Sequence, residues 1–208
     1  MRDILFMGEV LASVTHDMQN IMAIIKESGA LADDILALNG PPRMKHGDKL
    51  AQAQRNIQEQ VLRGRDLMLM LNGFAHAAAD FPASGDLSRF SRQITVLAER
   101  MVRLKDCRLE KTFPDKPLAV RGNALMIMQA IYVSMAAITR ICTAGDVIRL
   151  TVDRDDGGPF VRLGADQSEI VPEPCDAAAL MTGIGGSCNT GPGHIVLRFA
   201  PAPQGGLR

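Results

Sequence analysis

Ser13-Val14-Thr15-His16-Asp17-Met18-Gln19-Asn20 stands inside the run of apolar residues that decides the fold. Around it Ile4, Met7, Leu11, Val14, Met18, Ile21, Ile25, Ser28, Ala32 and Ile35 recur at alternating spacings of three and four, the seam of a long helix packed against others. Val10, Ile24, Leu31 and Leu38 widen that seam into the broad apolar face of a bundle helix, and Asp17 is the one charged residue in their row. A charge there is out of place for packing alone. His16 lies about 200° round the helix from Val14, and Asn20 sits one turn above it on the same polar face. The imidazole is therefore expected in solvent, with a carboxylate beside it and an amide in reach.

Working outward, this helix is expected from near Arg2 to about Leu38, where Asn39-Gly40-Pro41-Pro42 cannot continue it. A second helix is expected from near Asp48 to about Ala79, with Ile57, Val61, Gly64, Met68, Leu71, Ala75 and Ala78 repeating the spacing. The short polar connection makes the two an antiparallel hairpin. Apolar faces this wide cannot be hidden within one hairpin; two hairpins paired about a two-fold axis hide them in a four-helix bundle, so a homodimer is expected.

Beyond the hairpin the texture changes. Phe81-Pro82-Ala83-Ser84-Gly85 reads as a linker, and Asp86 or Ser88 caps a helix with Leu87, Phe90, Ile94, Leu97, Met101 and Leu104 on one face. Strands are expected at 107–113 and 118–120, an apolar helix at 123–142, and strands at 147–152 and 160–163 joined by a turn at Asp155-Asp156-Gly157-Gly158. A short helix around 176–181 and a Gly-rich stretch lead to a last strand at 194–199. The expected class is α+β, with a helical-hairpin domain at 1–80 and a small α/β sandwich at 81–208.

Composition narrows the function. Lys and Arg total 23 against 23 Asp and Glu, with no basic run, which argues against nucleic acid and anionic membranes as partners. No apolar run is expected to reach the roughly 20 residues of a membrane span, and Met1-Arg2-Asp3-Ile4 does not open a signal peptide, so a cytoplasmic protein is expected. Cys107, Cys142, Cys175 and Cys188 are widely spaced with no C-x-x-C, as reduced thiols are. His46, His76 and His194 show no ligand spacing, and Asp155-Asp156-Gly157-Gly158 suits a tight hairpin better than a metal loop, so no metal site is expected.

Thr15-His16-Asp17-Met18-Gln19-Asn20 resembles the H-box of bacterial two-component sensor histidine kinases. The order of elements after the hairpin resembles their GHKL (Bergerat-type) ATPase domain, and Val120-Arg121-Gly122-Asn123-Ala124-Leu125-Met126-Ile127-Met128-Gln129-Ala130-Ile131 is similar to the run before that family's N-box. The nucleotide signatures are degenerate. Val133-Ser134-Met135-Ala136-Ala137-Ile138 stands where an Asn would hold magnesium. Gly164-Ala165-Asp166-Gln167-Ser168-Glu169 lacks the glycines around the adenine-reading Asp, Pro172 and Pro174 stiffen the next segment, and Pro192 removes a backbone donor from the glycines at 183–193.

The resemblance implies a dimeric histidine phosphotransferase, similar to the ChpT type, that passes phosphate between receiver-domain aspartates through His16 and binds no ATP. It implies that Asp17 orients the imidazole or excludes water and that Asn20 positions a water for receiver dephosphorylation. Glu9, Ala12, Ser13, Gln19, Asn20 and Ala23 would form the receiver-docking surface. Magnesium would come with the receiver domain, and a hybrid kinase could stand upstream. Two other readings stay open: a divergent ATP-using autokinase, and a non-catalytic regulator that does not use His16.

Overall fold

The computed structural model describes residues 2–38, 47–80, 84–165, 169–173 and 175–202. Contacts gather the chain into two units, Met1–Leu69 and Met70–Arg208, with the boundary inside the second helix.

In the first unit α1 (Arg2–Leu38) faces the first part of α2 (Gly47–Asp80). Gly64 meets Ile21, where an added Cβ would lie 3.6 Å from the isoleucine Cγ2. Each of these residues is about 25 Å of helix from the connection at 39–46. Parallel helices would require that connection to span about 50 Å, against roughly 30 Å for so short a chain fully extended, so the pair is antiparallel.

The two helices divide the seam lengthwise. Val14, Ile21, Ser28 and Ile35 are buried, while Met18, Ile25 and Ala32 are half-buried and Leu11 is exposed. On α2 the seam residue Gly64 is buried while the seam residues Val61, Met68 and Ala75 are exposed, and the buried Leu67 lies one place off the expected seam. One helix covers only one side of another, so each seam keeps an open half. The side chains of Ile4, Leu38 and Ala78 lie outside the described residues.

In the second unit β1 (Ser84–Asp86) pairs antiparallel with β3 (Ala119–Arg121). A five-stranded sheet runs in the order β2 (Arg108–Thr112), β4 (Val147–Asp155), β5 (Gly158–Ala165), β7 (His194–Arg198), β6 (Ser187–Gly191). Among the described residues only β2 and β4 pair in parallel, and the chain between them carries β3 and α4 (Ala124–Ile141). With α3 (Leu87–Arg103) and α5 (Ala177–Gly183), this is the expected α+β architecture. Ile148, Leu150, Val152, Val161, Leu163, Ile195 and Leu197 are buried at every second strand position, opposite a helical layer whose core is Leu87, Ile94, Leu97, Ile127, Ile131 and Ile138.

Three local expectations change, and one of two alternatives is chosen. Residues 84–86 are strand β1 rather than linker, because Gly85 lets the chain pass close over Phe90: an added Cβ would lie 2.3 Å from its Cζ. Asp86 caps α3, its Oδ1 accepting from the amides of Ser88 and Leu118 at 3.0 Å each, which ties the cap to the residue before β3. Leu104 falls at the C-cap, past the buried face, and is exposed. Helix α4 is long and apolar enough by composition to cross a bilayer, contrary to the expectation, but 72% of it is buried inside the domain as a core helix.

The two hairpin turns form as their residues dictate. Asp155 pairs with Gly158, whose φ is +102°, and Pro192-Gly193 joins β6 to β7 with φ +66° at the glycine. Asp155 Oδ1 accepts from the Gly157 amide at 2.8 Å, and Arg198 of β7 donates to both carboxylate oxygens, at 2.6 and 2.8 Å. These bonds, the Arg198 pair first, hold the Asp155 carboxyl below its usual range. A carboxyl held low in the folded state contributes stability above its unfolded pKa, and that contribution is lost as pH falls through the folded value. Arg198→Ala is expected to raise the Asp155 pKa toward that of a free carboxyl in an NMR titration, with little change in Tm because the pair is exposed.

Candidate functional site

His16 is exposed at the middle of the outward face of α1. Asn20, one turn on, donates from Nδ2 to His16 Nδ1 at 3.1 Å. That leaves Nε2 as the ring nitrogen with no partner among the described residues. Glu9, Ala12, Gln19, Asn20 and Ala23 are exposed and Ser13 is half-buried, and their spacing about His16 places them on one helical face. The expected docking residues and the histidine thus share a surface of small and polar side chains.

Asp17 is turned the other way. It is buried at 6% exposure, in the row where the sequence placed it, and its Oδ2 lies 3.9 Å from Nη2 of Arg63 on α2. The contact is an ion pair beyond hydrogen-bond distance, and Arg63 is 42% exposed on its side. Burying a carboxylate opposes folding unless a cation or donors meet it, which gives Arg63 its place. Sequence reasoning missed Arg63, because the hairpin register that brings it to Asp17 is not encoded in apolar periodicity.

In the second unit the N-box-like stretch lies on α4. Val133 and Ala136 are half-buried, and Ser134, Met135, Ala137 and Ile138 are buried. The Ser134 hydroxyl donates to the Ala130 carbonyl of its own helix at 2.7 Å. The accessible side of α4 therefore presents Met126, Val133 and Ala136, which offer no oxygen to a cation, and the cation Arg140. Gly183, at the end of α5, sits over Met126, where an added Cβ would come within 2.8 Å of the methionine Cε. Asp166, Gln167 and Ser168 lie outside the described residues, as do Pro174, His46 and the side chain of His76.

Among the described residues no group of three His, Cys, Asp or Glu side chains could hold a metal. His194 Nδ1 donates to the Pro192 carbonyl at 2.8 Å, so this histidine braces its hairpin. The four thiols are free. Burial, with the neighbouring Cys107 next in weight, pushes the Cys142 thiol up to about 11, which keeps it protonated and unreactive near neutrality.

No family model matches the chain, and no curated protein matches it significantly. Solved structures do. The chain is similar to the histidine kinase AdeS of Acinetobacter baumannii, at 10% identity over 90% of this chain and 98% of that one, with a TM-score of 0.47. A histidine kinase from Burkholderia phymatum aligns over 91% and 98%, at 11% identity and a TM-score of 0.46. The ATP binding domain of PrrB from Mycobacterium tuberculosis aligns over 60% and 100%, at 15% identity and a TM-score of 0.47. At these identities and TM-scores the functional reading rests on the chain's own residues.

Proposed function

We propose that the chain is a dimeric histidine phosphotransferase of two-component signalling, similar to the ChpT type, which carries phosphate on His16 between receiver-domain aspartates. The observation that carries this reading is the exposed imidazole with one nitrogen held and the other open, centred on a face small enough for close approach. Imidazole suits such transfer because it is largely neutral near pH 7 and nucleophilic, and it forms a bond to phosphorus that is easily passed on. In the uptake step Nε2 attacks the phosphorus of an acyl phosphate, the P–O bond breaks, and its electron pair leaves with the receiver carboxylate. Positioning and charge neutralisation do the rest, with magnesium supplied by the receiver.

The absence of a cation ligand on the accessible side of α4 favours transfer without ATP. The open half-seams of α1 and α2 favour a second hairpin as their cover, hence a homodimer. A hybrid kinase is the upstream donor we favour, in the cytoplasm, with neither nucleic acid nor membrane as a partner of this neutral chain. Asn20 could also aim a water at a bound phospho-aspartate, giving receiver dephosphorylation as a second activity.

The test is transfer from a phosphorylated receiver domain to the purified protein, with ATP as a parallel donor. Label from the receiver alone is the expected result. Label from ATP would instead make the chain an autokinase, and label from neither across several receivers would make it a non-catalytic regulator.

A further inference from the structure

We propose that Asn20 is a positioning residue that keeps His16 Nδ1 a hydrogen-bond acceptor and thereby prolongs the life of a phosphoryl group on Nε2, an inference that rests on the phosphotransfer reading. The Nδ2 of Asn20 stands 3.1 Å from Nδ1. An amide nitrogen only donates, so Nδ1 accepts, and in the neutral ring the proton sits on Nε2. When Nε2 carries phosphorus instead, Nδ1 keeps the same lone pair and the same bond to Asn20.

That lone pair governs departure of the phosphoryl group. In transfer or hydrolysis the incoming oxygen bonds to phosphorus, the P–N bond breaks, and its electron pair returns to Nε2. With Nδ1 protonated the ring leaves as neutral imidazole; without that proton it must leave as an imidazolate, a far poorer leaving group. The Asn20 donor competes with that proton for Nδ1.

The same side chain serves the uptake step. Attack by Nε2 needs its lone pair, so the ring proton must move to Nδ1, where Oδ1 accepts it once the amide has turned about Cβ–Cγ. That torsion is broad and roughly two-fold for an amide, so both orientations are accessible. The Nδ1 proton passes to water after phosphorylation and the amide turns back. A carboxylate at this position could only accept, and would always favour the proton that speeds departure.

The experiment uses the full chain loaded at His16 with phosphoramidate, a donor that needs neither ATP nor a receiver. Phosphohistidine decay is followed by phosphorus NMR, and the ring nitrogens of the unloaded protein by 15N NMR, both at one fixed pH. In the wild type Nδ1 is expected to be unprotonated. Asn20→Asp should shift the proton onto it and shorten the phosphohistidine lifetime about tenfold, because a carboxylate there accepts from a protonated Nδ1. Asn20→Gln retains an amide donor and should stay close to the wild type.

Equal lifetimes in wild type and Asn20→Asp would overturn the proposal. So would a protonated Nδ1 in the unloaded wild type, no labelling of His16, or Asn20→Gln decaying as fast as Asn20→Asp. If these results come out as expected while no receiver exchanges phosphate with His16, the phosphotransferase reading alone fails.

Discussion

His16→Ala is expected to abolish stable labelling by a phosphorylated receiver, lowering phosphoryl uptake by on the order of 10³-fold or more, as loss of a covalent nucleophile does. Cys107 and Cys142 are buried thiols, and His194 is half-buried in its hairpin, so none of these offers the exposed imidazole that His16 does. The substitution should leave the fold intact: His16 is exposed on a helix where alanine is favourable, so the stability change should stay within about 0.5 kcal/mol. The label on the wild type should be acid-labile and stable to alkali, as a phosphoramidate bond is. An alanine variant that still takes up such label, with an unchanged Tm, would remove His16 from the chemistry.

The neighbouring carboxylate divides site from scaffold. Asp17 is buried at 6% exposure in an otherwise apolar row and meets Arg63 at only 3.9 Å, so the pair is a weak source of stability. Packing alone would favour an apolar residue there.

How legible each part was depends on how local its cause is. The limits of α1 are written in its seam and in the glycine and prolines that end it, and α4 in its apolar run after the cap at Asn123, whose Oδ1 accepts from the Met126 amide. Strands β4, β5 and β7 alternate, and their turns carry their own glycines. Strand β6, Ser-Cys-Asn-Thr-Gly, has no apolar face to alternate; it exists because β7 pairs with it, and a cause outside the segment cannot be read within it. Strand β1 is three residues long and pairs with a segment more than thirty residues away. At the site, periodicity placed His16 outward, Asp17 in the apolar row and Asn20 above the ring, but the carboxylate expected beside the imidazole is turned toward Arg63 instead. The Arg63 contact and the choice of amide atom against Nδ1 depend on three-dimensional register and rotamer, which a one-dimensional pattern does not carry.

The open half of that seam sets the other large expectation: Val61→Glu combined with Met68→Glu should convert a dimer to a monomer. These seam residues are 54% and 50% exposed in the single chain, with Leu11, Met22, Leu36, Leu62 and Leu69 exposed on the same hairpin. Fully burying a Val or Met side chain stabilises by about 1.5–3 kcal/mol, and roughly half of that remains available where a residue is already half covered. Two residues in two copies then contribute about 4 kcal/mol, so losing them raises the dissociation constant on the order of 10³-fold. The glutamates add to this, since carboxylates brought near a two-fold axis repel one another and lose solvation without a partner. Sedimentation velocity across a concentration series reads the change, with Gln58→Glu, an exposed polar position on α2, as the charge control. A wild type that is monomeric throughout, or a double variant that dimerises as tightly as the control, would mean that something other than a second hairpin covers these residues.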